Sequence, residues 1–159
     1  MPKRKGMVIV AVSGGMDPLH SGHICLFKEA KKLGNKLVVI LNNDNWLRVK
    51  KGFVFMPQAE RKAVIEALRF VDEVILTKHP KNPKDMSVSA ELRKLKPHIF
   101  ANGGDRNEKD AANPKSSLFK DIRTCEHYGI RMVFNVGGGK SQSSSWILGK
   151  FADYIKKQK

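Results

Sequence analysis

Met7-Val8-Ile9-Val10-Ala11-Val12-Ser13-Gly14-Gly15-Met16-Asp17-Pro18-Leu19-His20-Ser21-Gly22-His23 carries the strongest structural signal in the chain. An apolar, β-branched run ends in a glycine pair. A helical pattern follows, with Ile24, Phe27, Ala30 and Leu33 as its inward stripe and Gly34 as its end. Strand, glycine turn and helix in that order open a βα unit. The glycines let backbone N–H groups approach an anion closely, and a helix starting near His20 adds the positive end of its dipole. His20 and His23 are three apart, so on a first helical turn they face the same way. Two imidazoles aimed at a phosphate can donate to oxygens whose charge shifts as a P–O bond breaks. A bare His-x-x-His also fits a surface pair or part of a zinc site. Zinc is disfavoured, because no third ligand stands at a useful spacing and Cys25 falls on another helix face.

The same alternation recurs along the rest of the chain. Residues 7–12, 36–41, 74–76, 98–101 and 131–136 read as strands. Pro57 opens a helix at a position that needs no N–H, and Ala63, Val64, Ala67 and Leu68 read as its inner face. Further helices are predicted over residues 87–96, over residues 116–128 closed by Gly129, and from about 144 to 157. Five strands alternating with five helices predict an α/β, Rossmann-like, doubly wound five-stranded parallel sheet in a single domain over residues 1–159. The basic ends, residues 1–5 and 156–159, are expected to be flexible, as is the loop 78–85 with Pro80 and Pro83. Ligands bind at the carboxyl ends of strands in such sheets, so the loops 13–23, 42–52, 102–106 and 137–145 are predicted to share one rim.

Composition narrows the class of function. No apolar run reaches the roughly 20 residues of a membrane helix, so no membrane role is expected. Cys25 and Cys125 are read as core thiols rather than as a disulfide, which suits a cytoplasmic protein. The formal charge is +15, and six of the basic residues lie at the two ends, where no carboxylate stands; the body still carries +9. That charge suits an anionic small molecule or a polyanion. Nucleic acid is disfavoured because aromatics are not seen interleaved with the basic residues.

The opening stretch resembles the Gly-x-Phe-Asp-x-x-His-x-Gly-His signature of the cytidylyltransferase-like nucleotidyltransferases. Gly14, Asp17, His20, Gly22 and His23 match, with Met16 in place of the Phe. The likeness continues through residues 37–44, through Arg48-Val49-Lys50-Lys51-Gly52, and through Glu60-Arg61 with Leu68-Arg69-Phe70-Val71-Asp72-Glu73-Val74-Ile75. Gly103-Gly104-Asp105 resembles the Gly-Gly-Asp of the heptose-1-phosphate adenylyltransferase branch, and Ser143-Ser144-Ser145-Trp146-Ile147 resembles the family's closing Ser-Thr-Thr-x-Ile. One departure is Gly137-Gly138-Gly139-Lys140-Ser141-Gln142, where many relatives carry Arg-Thr-x-Gly; Lys140 can supply the charge but not a bidentate fork.

The resemblance implies transfer of a nucleoside monophosphate from a nucleoside triphosphate to a phosphorylated or phosphonate small molecule, with pyrophosphate released. It implies catalytic roles for His20, His23, Lys50 and Lys51. Nucleotide contacts are implied from Ser13, Gly14, Gly15, Met16, Asp17, Gly22, Gly103, Asp105, Arg106, Lys140, Ser143, Ser144 and Ser145. Arg61 and Arg69 are candidates for substrate binding or for the interface of a homodimer. No residue-built metal site is expected; Mg²⁺ would ride on the phosphates. The length of the 68–75 likeness to the glycerol-3-phosphate cytidylyltransferase branch favours CTP, and the Gly-Gly-Asp favours ATP as the alternative. The rival from another class is a nucleotide- or nucleic-acid-binding module without catalysis.

Overall fold

The computed structural model describes residues 6–104, 108–138 and 143–159. The strands are β1 (Ile9–Gly14), β2 (Lys36–Leu41), β3 (Glu73–Leu76), β4 (Ile99–Ala101) and β5 (Arg131–Val133). The helices are α1 (Ser21–Lys31), α2 (Asp44–Lys51), α3 (Gln58–Glu66), α4 (Ser89–Leu95), α5 (Glu108–Ala112), α6 (Ser117–Tyr128) and α7 (Ser144–Lys157). All strand pairs are parallel and lie in the order β3-β2-β1-β4-β5. The chain therefore winds one way from β1 to β3 and the other way from β4 to β5. The switch point falls between β1 and β4, where a crevice opens at the strands' carboxyl ends.

Alternation along the central strands divides the core in two. Val10, Val12, Leu37, Val39 and Leu41 face Phe27, Ala30 and Ile65 of α1 and α3. Ala11, Ile40 and Phe100 face Leu92 and Cys125 of α4 and α6. Helices thus cover both faces, and β2 reads as an unbroken apolar run because neither side meets water. β1 runs later than the sequence suggests, through Ser13 and Gly14, because these pair with Ile40 and Leu41 of the long β2.

Several expectations need correction. The 42–52 loop is largely helix α2: Asn43 caps it by accepting from the Trp46 N–H at 3.0 Å, and Gly52 closes it with φ 85°. On α3 the buried side chains are Arg61 and Ile65, with Leu68 packed beside them, whereas Ala63, Val64 and Ala67 face outward. Hydrophobic periodicity misplaced that face because its largest inward residue is an arginine. Leu33 is exposed as well. Cys125 is a buried thiol whose surroundings push its pKa up to about 12, but Cys25 is exposed rather than in the core. The 78–85 segment is anchored at its start. There the buried His79 hydrogen-bonds Thr77 and Ser87 through its ring and accepts from Asn43 and Asn45 through its carbonyl. Lys156 and Lys157 belong to α7, so that part of the basic end is helical. Beyond the basic end of α2, Phe53 and Phe55 stand half-exposed.

Candidate active site

A cleft of about 700 Å³ lies at the switch point, within the range of roughly 300–1,000 Å³ typical of small-molecule sites. All four predicted loops contribute: Ser13–Met16 after β1, Lys50 and Lys51 at the end of α2, Asn102–Gly104 after β4, and residues 136–138 with 143–145 after β5. Three helix N-termini, those of α1, α6 and α7, supply His20, Ser116 with Ser117, and Ser143–Ser145 to its wall. With Lys50, Lys51 and Lys115 also present, the wall favours a polyanion. Asp110 is the carboxylate that lines it among the described residues.

His20 occupies the N-cap of α1, and the two histidines cap the helix reciprocally. His20 Nδ1 accepts the Gly22 N–H at 3.0 Å, and His23 Nδ1 accepts the His20 N–H at 3.1 Å. Their rings lie 3.9 Å apart. An Nδ1 that accepts leaves the proton of a neutral imidazole on Nε2, so each ring keeps an Nε2–H donor. Burial, then the charges of His20 and Lys51, push the His23 pKa down to about 3. His23 is therefore neutral near pH 7 and can donate to a phosphate oxygen without being an imidazolium.

Close packing fixes the loops around this pair. A Cβ on Gly15 would lie 2.9 Å from Leu47 Cδ2 and 3.1 Å from Trp46 Cζ3, so a side chain there would have to displace these two neighbours. A Cβ on Gly104 would lie 2.5 Å from the Gly138 carbonyl oxygen, which brings the β4 and β5 loops into backbone contact. Ser143 is the N-cap residue of α7, and Ser144 Oγ donates to the Pro18 carbonyl at 2.8 Å, tying that helix to the histidine loop.

Three candidate nucleotide, substrate or interface residues, Asp17, Arg61 and Arg69, do not line the cleft. The Asp17 carboxylate is buried and accepts the N–H groups of Phe55 and Met56 at 2.7 and 2.6 Å; it clamps a loop. Arg61 is 1% exposed and reaches neither the cleft nor the surface. Its guanidinium donates to the carbonyls of Met56, Gly15 and Asn42 at 2.8, 2.7 and 2.8 Å and pairs with Asp44 at 2.7 Å. Arg69 is exposed, stacks over Phe70 at 4.8 Å and does not line the cleft. Asp105, Arg106 and Lys140 lie outside the described residues. Sequence reading missed Met86, Asp110 and residues 115–118, and it covered Trp46 and Asn102 only as members of the predicted rim loops. The Asn43 cap was a usable signal for Trp46, whose Nε1–H donates to the Met86 carbonyl at 2.8 Å. Met86 and Lys115 lie on crossovers whose spatial position the chain order does not reveal.

Fold, switch-point cleft and histidine-capped helix together define a nucleotide-binding α/β protein. Residues 11–126 match the cytidylyltransferase-like family, and the chain belongs to it. It is 35% identical to the FAD synthase of Pyrococcus horikoshii over 99 residues, 62% of this chain and 64% of that one. The match thus spans just under two thirds of that relative. The bifunctional protein HldE of Campylobacter fetus is 35% identical over 135 residues, 84% of this chain and 28% of that one. Among solved structures, the lipopolysaccharide core biosynthesis protein of Thermoplasma volcanium superposes with a TM-score of 0.61 at 30% identity, covering 81% of this chain and 94% of that one. Among the described residues no helix is long and apolar enough to cross a membrane.

Proposed function

We propose that the cleft binds ATP and transfers its AMP unit to the phosphate of a small-molecule acceptor. An acceptor phosphate oxygen attacks the α-phosphorus in line, the bond from that phosphorus to its bridging oxygen breaks, and pyrophosphate leaves with the electron pair. No covalent enzyme intermediate is needed, so the protein contributes positioning and charge stabilisation. The observation that carries the reading is the capped histidine pair, which presents two Nε2–H donors from the wall of a cationic cleft. In this reading His20 and His23 take the α-phosphate and bridging oxygens, and the Gly14–Met16 loop takes the phosphates. Lys50 or Lys51 holds the acceptor phosphate, and Ser143–Ser145 with Lys140 hold the β and γ phosphates. Asp105 is assigned to the nucleoside. With Asp110 the sole carboxylate among the described lining residues, the donor set fits Mg²⁺ held mainly by phosphate oxygens, where it would offset their charge.

The preference for CTP finds no support in the relatives. FAD carries an adenylyl unit, and Gly103-Gly104-Asp105 resembles an adenylyl-transferring branch, so adenine is the better assignment. The acceptor is a phosphate monoester; FMN and sugar phosphates are the first candidates. The test is pyrophosphate release with ATP and CTP against both acceptor types, together with equilibrium titration of each nucleotide. Release with ATP is expected. CTP binding tenfold tighter than ATP, about 1.4 kcal/mol, would return the assignment to a cytidylyltransferase. Nucleotide binding without pyrophosphate release for any acceptor would leave a binding module.

A further inference from the structure

We propose that Arg61 is a positioning residue for phosphate binding: by holding the Gly15 carbonyl inward it turns the Met16 N–H outward, into the cleft, as an anion donor. The inference rests on the triphosphate reading above and adds to it the device that sets the polarity of the loop. Arg61 Nη1 donates to the Gly15 carbonyl at 2.7 Å from a fully buried position, so that carbonyl points to the interior. The Gly15–Met16 peptide is trans, the cis bond in this loop being Asp17–Pro18. In a trans peptide C=O and N–H point in opposite directions, so the Met16 N–H is directed away from Arg61. Gly14, Gly15 and Met16 all line the cleft, and the Met16 N–H meets no acceptor among the described residues. With its carbonyl partner held by Arg61, that N–H is left to water or to a ligand in the cleft.

The backbone itself implies a restraint. Met16 has φ 52°, a left-handed conformation that a non-glycine residue keeps only when its surroundings over-determine it. Without its partner the Gly15–Met16 peptide could rotate, placing a carbonyl oxygen where phosphate is to bind and the N–H against the core. Arg61 prevents this from three directions. Its Nε holds Met56, whose own N–H is held by Asp17, and Nη1 holds Asn42 at the end of β2 as well as Gly15. Asp44 neutralises the guanidinium without touching the Gly15 carbonyl, so charge balance and peptide orientation are separable by mutation.

Arg61→Lys removes the fork that reaches Gly15, Asn42 and Met56 together; Asp44→Asn loses the ion pair and leaves those bonds in place. Both variants are expected to melt lower than wild type. They should differ in binding. Arg61→Lys is expected to weaken ATP and inorganic tripolyphosphate alike by about tenfold, a typical loss for one charge-assisted contact, and to leave adenosine unchanged. Asp44→Asn should bind all three within about twofold of wild type. Equal losses for adenosine and tripolyphosphate in Arg61→Lys, or an unchanged tripolyphosphate affinity, would overturn the proposal. Should Arg61→Lys fail to fold, wild-type protein labelled with ¹⁵N-methionine decides the matter: tripolyphosphate is expected to move the Met16 amide proton downfield, and a stationary Met16 resonance in the saturated complex overturns the assignment. A wild type that binds neither ATP nor tripolyphosphate would instead remove the proposed function.

Discussion

His20 and His23 are coupled through each other's backbone, and this makes their loss testable in two ways. Each ring commits Nδ1 to an amide and keeps Nε2–H as a donor. Replacing either by Ala is expected to lower the turnover number by at least about a hundredfold, as removal of one preorganised donor to a transition state does; pyrophosphate release measures it. His23 also links stability to pH. Its pKa is about 3 in the folded chain against an ordinary 6.5. Above pH 6.5 neither state binds a proton there. Between 6.5 and about 3 the unfolded chain binds one that the folded chain refuses, so the His23 contribution to stability falls as pH falls through that window. His23→Asn, which keeps an acceptor for the His20 N–H, is expected to lose stability less steeply than wild type between pH 7 and 4.5. Urea denaturation at the two values measures the difference, and equal slopes would refute the assignment.

Elements differ in how plainly the sequence announces them. β2, α6 and α7 are read almost to the residue, because an unbroken apolar run, the Ser116 cap with Gly129, and the serine run before Trp146 each mark their own boundaries. Helix α2 is not, since its eight residues are mostly polar and only its end caps betray it. The inner face of α3 escapes periodicity for a different reason: a buried arginine is legible only once the distant carbonyls of Gly15 and Asn42 are known to converge on it together with that of Met56. In the site, the two histidines, residues 13–16, Lys50, Lys51 and Ser143–Ser145 all line the cleft, since the segments that follow β1, β2 and β5 converge there. It misassigns Asp17 and Arg61, whose signature positions serve loop-to-loop hydrogen bonds. The meeting of the β4 and β5 loops yields a prediction of its own. Gly104→Ala must push the Gly138 backbone aside, so it is expected to destabilise the protein by about 1–3 kcal/mol and to weaken nucleotide binding, as read by thermal denaturation and titration. A variant as stable as wild type would mean that the two loops part at no cost.

Among the described residues, Arg69 stacked on Phe70 and the aromatic side of α7 with Phe151 and Tyr154 are exposed and lie off the cleft wall. A homodimer built on the Arg69 segment is the expectation from the family resemblance. Sedimentation is expected to give a dimer that Arg69→Ala weakens and Phe151→Lys does not. A fully active monomer at assay concentration would exclude a site shared between subunits. The molecule's two thiols stand in opposite surroundings. Cys25 sits exposed on the cleft wall with its Sγ–H donating to the Gly137 carbonyl at 3.3 Å, and Cys125 is buried with its pKa near 12. The thiolate is the reactive form, so a maleimide dye should modify one sulfur per chain, and bound ATP should shield it. Mass spectrometry of the product counts the label; two dyes per chain, or labelling as fast with ATP as without, would contradict the geometry. The native chain thus arrives with a single addressable attachment point at its ligand's doorway, ready for an optical reporter without any engineered cysteine.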